Sequence, residues 1–185
     1  MIHSRAANGI TVEINTFMMS ESKTNKEALH ELYNQRILAL AADIPRIGKL
    51  DQPQASATAV SKLCGSRVSV NITMDEGKIT DFAQQLHACA LGRASASIVA
   101  HNIIDANADE FHAVANAMRK MLREDAPAPA EVLPQEWKER WRDLEILEPV
   151  RAFKARHAST LLVFDAVEDC LYQIENANTK TRAEA

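Results

Sequence analysis

Arg67-Val68-Ser69-Val70-Asn71-Ile72-Thr73-Met74 is the stretch that decides the fold. Apolar and polar side chains alternate along it, which is the period of a strand with one face buried and one face wet. Asp75-Glu76-Gly77-Lys78 follows as a turn, with Gly77 free to take positive φ. Ile79-Thr80-Asp81-Phe82-Ala83-Gln84-Gln85-Leu86 then returns as a second strand with weaker alternation. The sequence therefore predicts a β-hairpin, and the rest of the chain is read outward from it.

On the N-terminal side, Leu29, Leu32, Tyr33, Ile37, Leu40 and Ala41 recur at three- and four-residue steps, predicting an amphipathic helix from Lys26 to Ala42. Pro45 ends it, and Pro53 to Ala57 reads as a loop or the approach to an edge strand. Residues 1–26 lack a period and read as a flexible leader. On the C-terminal side, Ala90 to Asn102 is a helix rich in Ala and Ser, small enough to lie close to a neighbour. Asp109 to Leu122 carries the stripe Phe111, Val114, Ala115, Met118 and Leu122. A Pro/Ala linker spans 126–136, beginning Ala126-Pro127-Ala128-Pro129-Ala130. A short helix or turn with Trp137, Trp141, Leu144 and Leu147 is broken by Pro149, and a last helix runs from Phe153 to Ile174. The polar tail 177–185 is expected to fray. Helix, strands, then helices describe an α+β domain, a small antiparallel β-sheet with helices packed on one face, over residues 27–176.

Composition narrows the function. Of 185 residues, 46% are hydrophobic and 25% charged, with a net charge of −4. An acidic balance argues against a general nucleic-acid binder. No apolar run reaches the ~20 residues that span a bilayer, and no secretory signal pattern opens the chain. Three cysteines, Cys64, Cys89 and Cys170, do not suggest a disulfide framework and fit a reducing cytoplasm.

The hairpin has a consequence for two of them. Cys64 lies 12 residues before Glu76, and Cys89 lies 12 residues after Gly77. Antiparallel pairing brings both to the open end. Cys89 sits where strand gives way to helix, where free N–H groups favour a thiolate. Two thiolates begin a soft-metal site, which usually takes about four ligands. A lone cysteine is more often a small buried hydrophobe, and Cys170, inside the apolar pattern of the last helix, reads that way. His157, at the start of that helix, is the histidine best placed to add an imidazole; His30, His101 and His112 read as surface or structural.

These residues carry a resemblance. Tyr33-Asn34-Gln35-Arg36-Ile37-Leu38 and Ile44-Pro45-Arg46-Ile47-Gly48-Lys49-Leu50 resemble the first-helix signature of NifU/IscU-type iron–sulfur cluster scaffolds. Leu63-Cys64-Gly65-Ser66 resembles the family's Cys-Gly-Asp loop, and Gly77-Lys78-Ile79-Thr80-Asp81-Phe82 its Gly-x-Ile-x-Asp stretch. Cys89-Ala90-Leu91-Gly92-Arg93-Ala94-Ser95-Ala96-Ser97 resembles its second cysteine site, and Arg156-His157-Ala158-Ser159-Thr160-Leu161 its third. The likeness implies a SufE/NifU-like fold, no enzymatic turnover, and carriage of a [2Fe–2S] cluster or iron, with zinc as an alternative cargo. It implies a cysteine desulfurase and iron–sulfur acceptor proteins as partners, with neither nucleic acid nor membrane. The residues that carry over are Cys64, Cys89 and His157 as ligands, with Gly65, Ser66, His87 and Ser159 around them. The chain departs from the pattern at Ser66, where the family has aspartate, and at Ala158 or Ser159, where it has a third cysteine. A missing ligand would then come from solvent, a partner or a second copy in a homodimer. Two alternatives stay open: a degenerate scaffold that binds assembly partners and holds no metal tightly, and a thiol enzyme or persulfide acceptor with Cys89 as nucleophile and His157 as base.

Overall fold

The computed structural model describes residues 35–183, so the leader 1–26 and the first turns of the helix predicted from Lys26 lie outside the described residues. The hairpin is present. Strand β2 (Arg67–Asp75) pairs antiparallel with β3 (Lys78–His87), from Asp75↔Lys78 at the turn to Arg67↔His87 at the open end. Glu76 (φ 47°) and Gly77 (φ 78°) both take positive φ, the two-residue turn whose twist suits a hairpin. The weak alternation of β3 has a cause: the register slips beside Thr73/Met74, leaving Thr80 without a partner in the ladder.

A third strand completes the sheet. Ala55–Val60 forms β1, antiparallel to β2 with Ala55↔Ile72 and Val60↔Arg67, in the order β1-β2-β3. The stretch read as a loop or edge approach is thus largely an edge strand. The chain reaches it by crossing the sheet. Gly48 donates its N–H to Gln84 O (2.9 Å) and Gln84 N–H donates to Arg46 O (2.9 Å), docking residues 46–48 on the free edge of β3. Leu50 N–H then donates to Asn71 Oδ1 (3.2 Å), and Gln54 N–H donates to Ile72 O (2.9 Å). Residues 48–54 therefore form a strap over the outer, polar face.

The inner face carries Val68, Val70, Ile72 and Phe82, all buried, and the helices pack there. Helix α1 (Gln35–Ala42) buries Ile37 and Ala41. Helix α2 (Ala90–Asn102) uses its small residues as the sequence predicts: Ser95 Oγ donates to Thr160 O (2.7 Å), and Ser97 Oγ donates to Asp43 O (2.9 Å). Buried hydroxyls are satisfied by neighbouring backbone, at a helix separation larger side chains would not allow. Gly92 is the tightest point, because a Cβ there would stand 2.9 Å from Ser159 O.

Helix α3 (Ala108–Arg123) starts on Asn107, whose side chain accepts from Glu110 N–H (2.8 Å). Its stripe packs as predicted, with the Phe111 ring centroid 5.8 Å from Trp141 and 6.0 Å from Phe164. Residues 126–136 depart from a linker. Short turns α4 (Pro129–Val132) and α5 (Gln135–Lys138) occupy them, and Ala128, Pro129 and Leu133 are buried. Proline starts a helical turn as readily as it extends a linker, since the first N–H of a turn needs no partner. Likewise Pro149 does not break the following segment, a 3₁₀ helix over Arg142–Ala152 that buries Leu144, Leu147 and Val150. The long helix α6 (Lys154–Ala183) lies against β1, β2, α2 and α3, and runs on through most of the predicted tail. Cys170 is buried in it, as its place in the apolar pattern requires.

Candidate metal centre

The third strand changes where Cys64 sits. It lies in the turn of the β1–β2 hairpin, closed by Ser61 N–H to Ser66 O (2.8 Å) and Gly65 N–H to Ser61 O (2.9 Å), with Gly65 at φ 68°. That turn and the open end of β2–β3 are the same end of the sheet. Cys89, two residues beyond His87, is the N-cap of α2. Cys89 touches the first turns of α6, and Cys64 lies within electrostatic reach of them. Cys89 Sγ is 3.4 Å from Ser159 Oγ, and the Arg156 guanidinium acts electrostatically on Cys64. Arg156 and Ser159 are three apart and share one helix face. Two strand ends and two helix starts thus converge on one place.

Cys64 is exposed, and its Sγ is 3.0 Å from Ser66 Oγ and 3.4 Å from Ser61 Oγ. As a thiol it donates to one hydroxyl; as a thiolate it accepts from both. The Ser61 and Ser66 hydroxyls and the Ser66 backbone N–H hold its pKa below the ordinary thiol value against the opposing effect of burial, with the charge of Arg156 adding a weaker pull in the same direction. Cys170 is the opposite case: burial, reinforced by Asp169, pushes its thiol up to about 12. At neutral pH iodoacetamide is therefore expected to modify Cys64 and spare Cys170 in the folded protein. The rate–pH midpoint of Cys64 lies below that of a free thiol and moves up in Arg156→Ala. A Cys64 midpoint at or above that of a model thiol, read by peptide mass spectrometry, contradicts this.

The other predicted residues separate. Ser66 is buried beneath Cys64, and Gly65 supplies the positive φ that turns the chain. His87 is exposed at the end of β3. Ser159 is buried and donates to Arg156 O (3.0 Å), so the sulfur of Cys89 is the donor in their contact. His157 is buried, with Nε2 3.1 Å from both Val150 O and Arg151 O at the end of the 3₁₀ helix. That nitrogen carries its proton to those carbonyls, which leaves Nδ1 as the unprotonated nitrogen of the ring. Among the described residues, no three His, Cys, Asp or Glu side chains come close enough to hold one metal ion. The structure puts Cys89 in contact with Ser159, and places Cys64 at the same end of the sheet, in contact with Ser61 and Ser66.

Sequence reasoning did not single out Ser61 and Arg156. Ser61 acts because the hairpin turn folds it back on Cys64, a turn that becomes visible only once β1 is known to be a strand. Arg156 could have been picked from its place one residue before His157, as a cation near the predicted cysteine site.

Known proteins share this fold. The model of the NifU-like N-terminal domain matches residues 32–137. The iron–sulfur cluster assembly scaffold protein IscU of Streptococcus pyogenes serotype M1 is 26% identical over 135 residues, covering 72% of this chain and 79% of that protein. The crystal structure of a nitrogen-fixing NifU-like protein (N-terminal) from Brucella abortus is 51% identical, with a TM-score of 0.74 over 80% of this chain and 98% of that one. A candidate scaffold protein of the SUF system from Fervidobacterium islandicum AW-1, 20% identical, shares the fold with a TM-score of 0.67 over 77% of this chain and 98% of its own. With the family model matching more than half of the sequence and the sheet and flanking helices shared with the B. abortus structure, this chain belongs to the family of NifU-like N-terminal domains.

Proposed function

We propose that this protein is a scaffold or carrier for a nascent iron–sulfur cluster or iron, held between Cys64 and Cys89, and that it acts by carriage and not by catalysis. The observation that supports this reading is the placement of an exposed thiol of lowered pKa and a second cysteine at the same end of the sheet. Thiolates are the form that binds soft metals, so lowering the pKa of Cys64 favours loading at neutral pH. The S. pyogenes relative is an assembly scaffold, which supports the same role here. By that likeness, a cysteine desulfurase supplies sulfur and acceptor proteins take the product.

Two sulfurs fill about half of a four-ligand shell. The remaining positions fall to solvent, a partner or a second copy; His157 joins only after a rearrangement that brings it to the cysteines, and then through Nδ1 if Nε2 keeps its carbonyl partners. An incompletely enclosed cluster leaves readily, which suits transfer. The incomplete set also supports a second reading, in which the chain binds assembly partners without metal.

Anaerobic reconstitution with ferrous iron and sulfide decides between them. Wild type and Cys170→Ala are expected to gain visible cluster absorbance with iron bound near stoichiometry, and Cys64→Ser and Cys89→Ser to lose most of both. A wild type that keeps no metal after desalting would leave the metal-free reading, and cysteine variants that load as well as wild type would overturn Cys64 and Cys89 as the ligands.

A further inference from the structure

The outer face of the sheet holds a hollow that the cysteine centre does not use. Beneath the strap lies a trough of about 460 Å³, floored by Ser56, Thr58, Ser69 and Asn71 with Lys49 and Gln85 at its sides. It runs on into a second hollow of about 410 Å³, which shares Ser69 and Gln85 and ends at Arg67 and His87. These side chains lie outside because they alternate with the buried Val68, Val70 and Ile72. Three features give the trough a chemical character.

The first is charge. Its cations are Lys49 at one end and Arg67 at the other, with His87 beside Arg67, and no Asp or Glu lines either hollow. Its sign is opposite to that of the chain as a whole, whose net charge is −4. Lys49, Arg67 and His87 enter none of the ion pairs among the described residues. The second is proton accounting on the floor. Asn71 Nδ2 donates to Ser56 Oγ (2.8 Å) while its Oδ1 accepts from Leu50, so the amide is fixed and the Ser56 proton is left over. Thr58 and Ser69 share one bond (2.8 Å), which uses one of their two protons. Each pair therefore presents one free O–H donor, with lone pairs that also accept. The third is shape. Arg67 lies four residues along β2 from Asn71, about 13 Å at the strand rise. The occupant is elongated, with negative charge at both ends and groups between them that both give and accept hydrogen bonds.

We infer that this trough is a docking site for an extended acidic peptide segment of a partner protein, about four to five residues long, with carboxylates seated on Lys49 and on Arg67 with His87. Peptide N–H and C=O groups match the hydroxyl and amide floor. A nucleotide fits less well, because no aromatic side chain lines the hollows to stack a base. The Arg67–His87 end is also the end from which the chain leads to Cys64 and Cys89, so a docked segment points its protein at the cysteine centre.

Fluorescence anisotropy with the full chain and a labelled peptide Glu-Glu-Ser-Gly-Glu-Glu tests this. Saturable one-to-one binding is expected, weakened at least tenfold by Lys49→Glu/Arg67→Glu, by Gln in place of every Glu, and by raising salt. Lys120→Glu/Arg123→Glu, two exposed cations on α3, makes the same change in net charge and is expected to leave binding within twofold. Binding is also expected to persist in Cys64→Ser/Cys89→Ser, which separates this result from any failure of the cluster assignment. Absence of saturable binding, equal loss in both charge-reversed variants, or equally tight binding of free citrate would overturn the peptide assignment.

Discussion

Trp141→Ala is expected to destabilise the protein by about 3–5 kcal/mol, the range for removing a large buried aromatic side chain. Trp141 is 0% exposed, packs edge-on to Phe111, and donates Nε1–H to Glu110 Oε1 at 2.8 Å. Glu110 is itself 3% exposed, and its other oxygen meets Arg140 at 3.4 Å across a partly open surface. Truncation opens a cavity and takes from a buried carboxylate its closest side-chain donor, so both effects act in one direction. Since each kcal/mol lowers Tm by about 2–4 °C in a chain of this size, a fall of about 6–20 °C should appear in a thermal melt. Trp141→Phe separates the contributions: it keeps most of the packing, loses the donor, and is expected to cost about 1–3 kcal/mol. An alanine variant melting within 2 °C of wild type would mean that the segment 128–152 is not anchored as described.

Gly92→Val is expected to cost about 2–3 kcal/mol and to disturb the cysteine centre at the same time. A Cβ at this position would meet Ser159 O at 2.9 Å and Ala88 Cβ at 3.0 Å, and the first of these is backbone that cannot rotate aside. Overpacking typically costs about 1–3 kcal/mol. Glycine to alanine in a helix normally gains about 1 kcal/mol, which would offset much of a smaller clash; valine gains less in propensity and adds more bulk. Strain therefore dominates for valine, and it pushes α2 away from α6 at the residue that Cys89 touches. Gly92→Ala should fall between wild type and Gly92→Val in Tm. An unchanged Tm in the valine variant, or one that rises, would contradict the close approach of the two helices.

The sequence was legible where a pattern depended on local chemistry. Strand β2 could be read because large apolar residues alternate with polar ones, and the placement of Cys64 and Cys89 at one end of the sheet followed from hairpin counting. Strand β1 was not, because Ala55, Ala57 and Ala59 give too weak a contrast with their neighbours to register as alternation. The 126–136 segment misled because Pro and Ala suit an extended linker and a helix start equally, and burial of Ala128 and Leu133 is decided by distant partners. His157 shows the same limit at the site. Its position in the chain places it near Cys89's helix contact, but the direction of its ring is set by two carbonyls at the end of a 3₁₀ helix that continues through Pro149. Arg156, its neighbour, is the residue whose charge reaches Cys64.

The cysteines belong to separate pieces of backbone, one in a strand turn and one at a helix start, and each leans on a third element. Anything gripped by both sulfurs is therefore a crosslink between pieces that would otherwise breathe independently. Occupancy at one hundred times the dissociation constant adds about 2.7 kcal/mol to the folded state by mass action alone. Amide exchange in residues 61–66 and in the opening turns of α2 and α6 should then slow together on loading and quicken together on release, so that handing over the cargo also loosens the hand that held it.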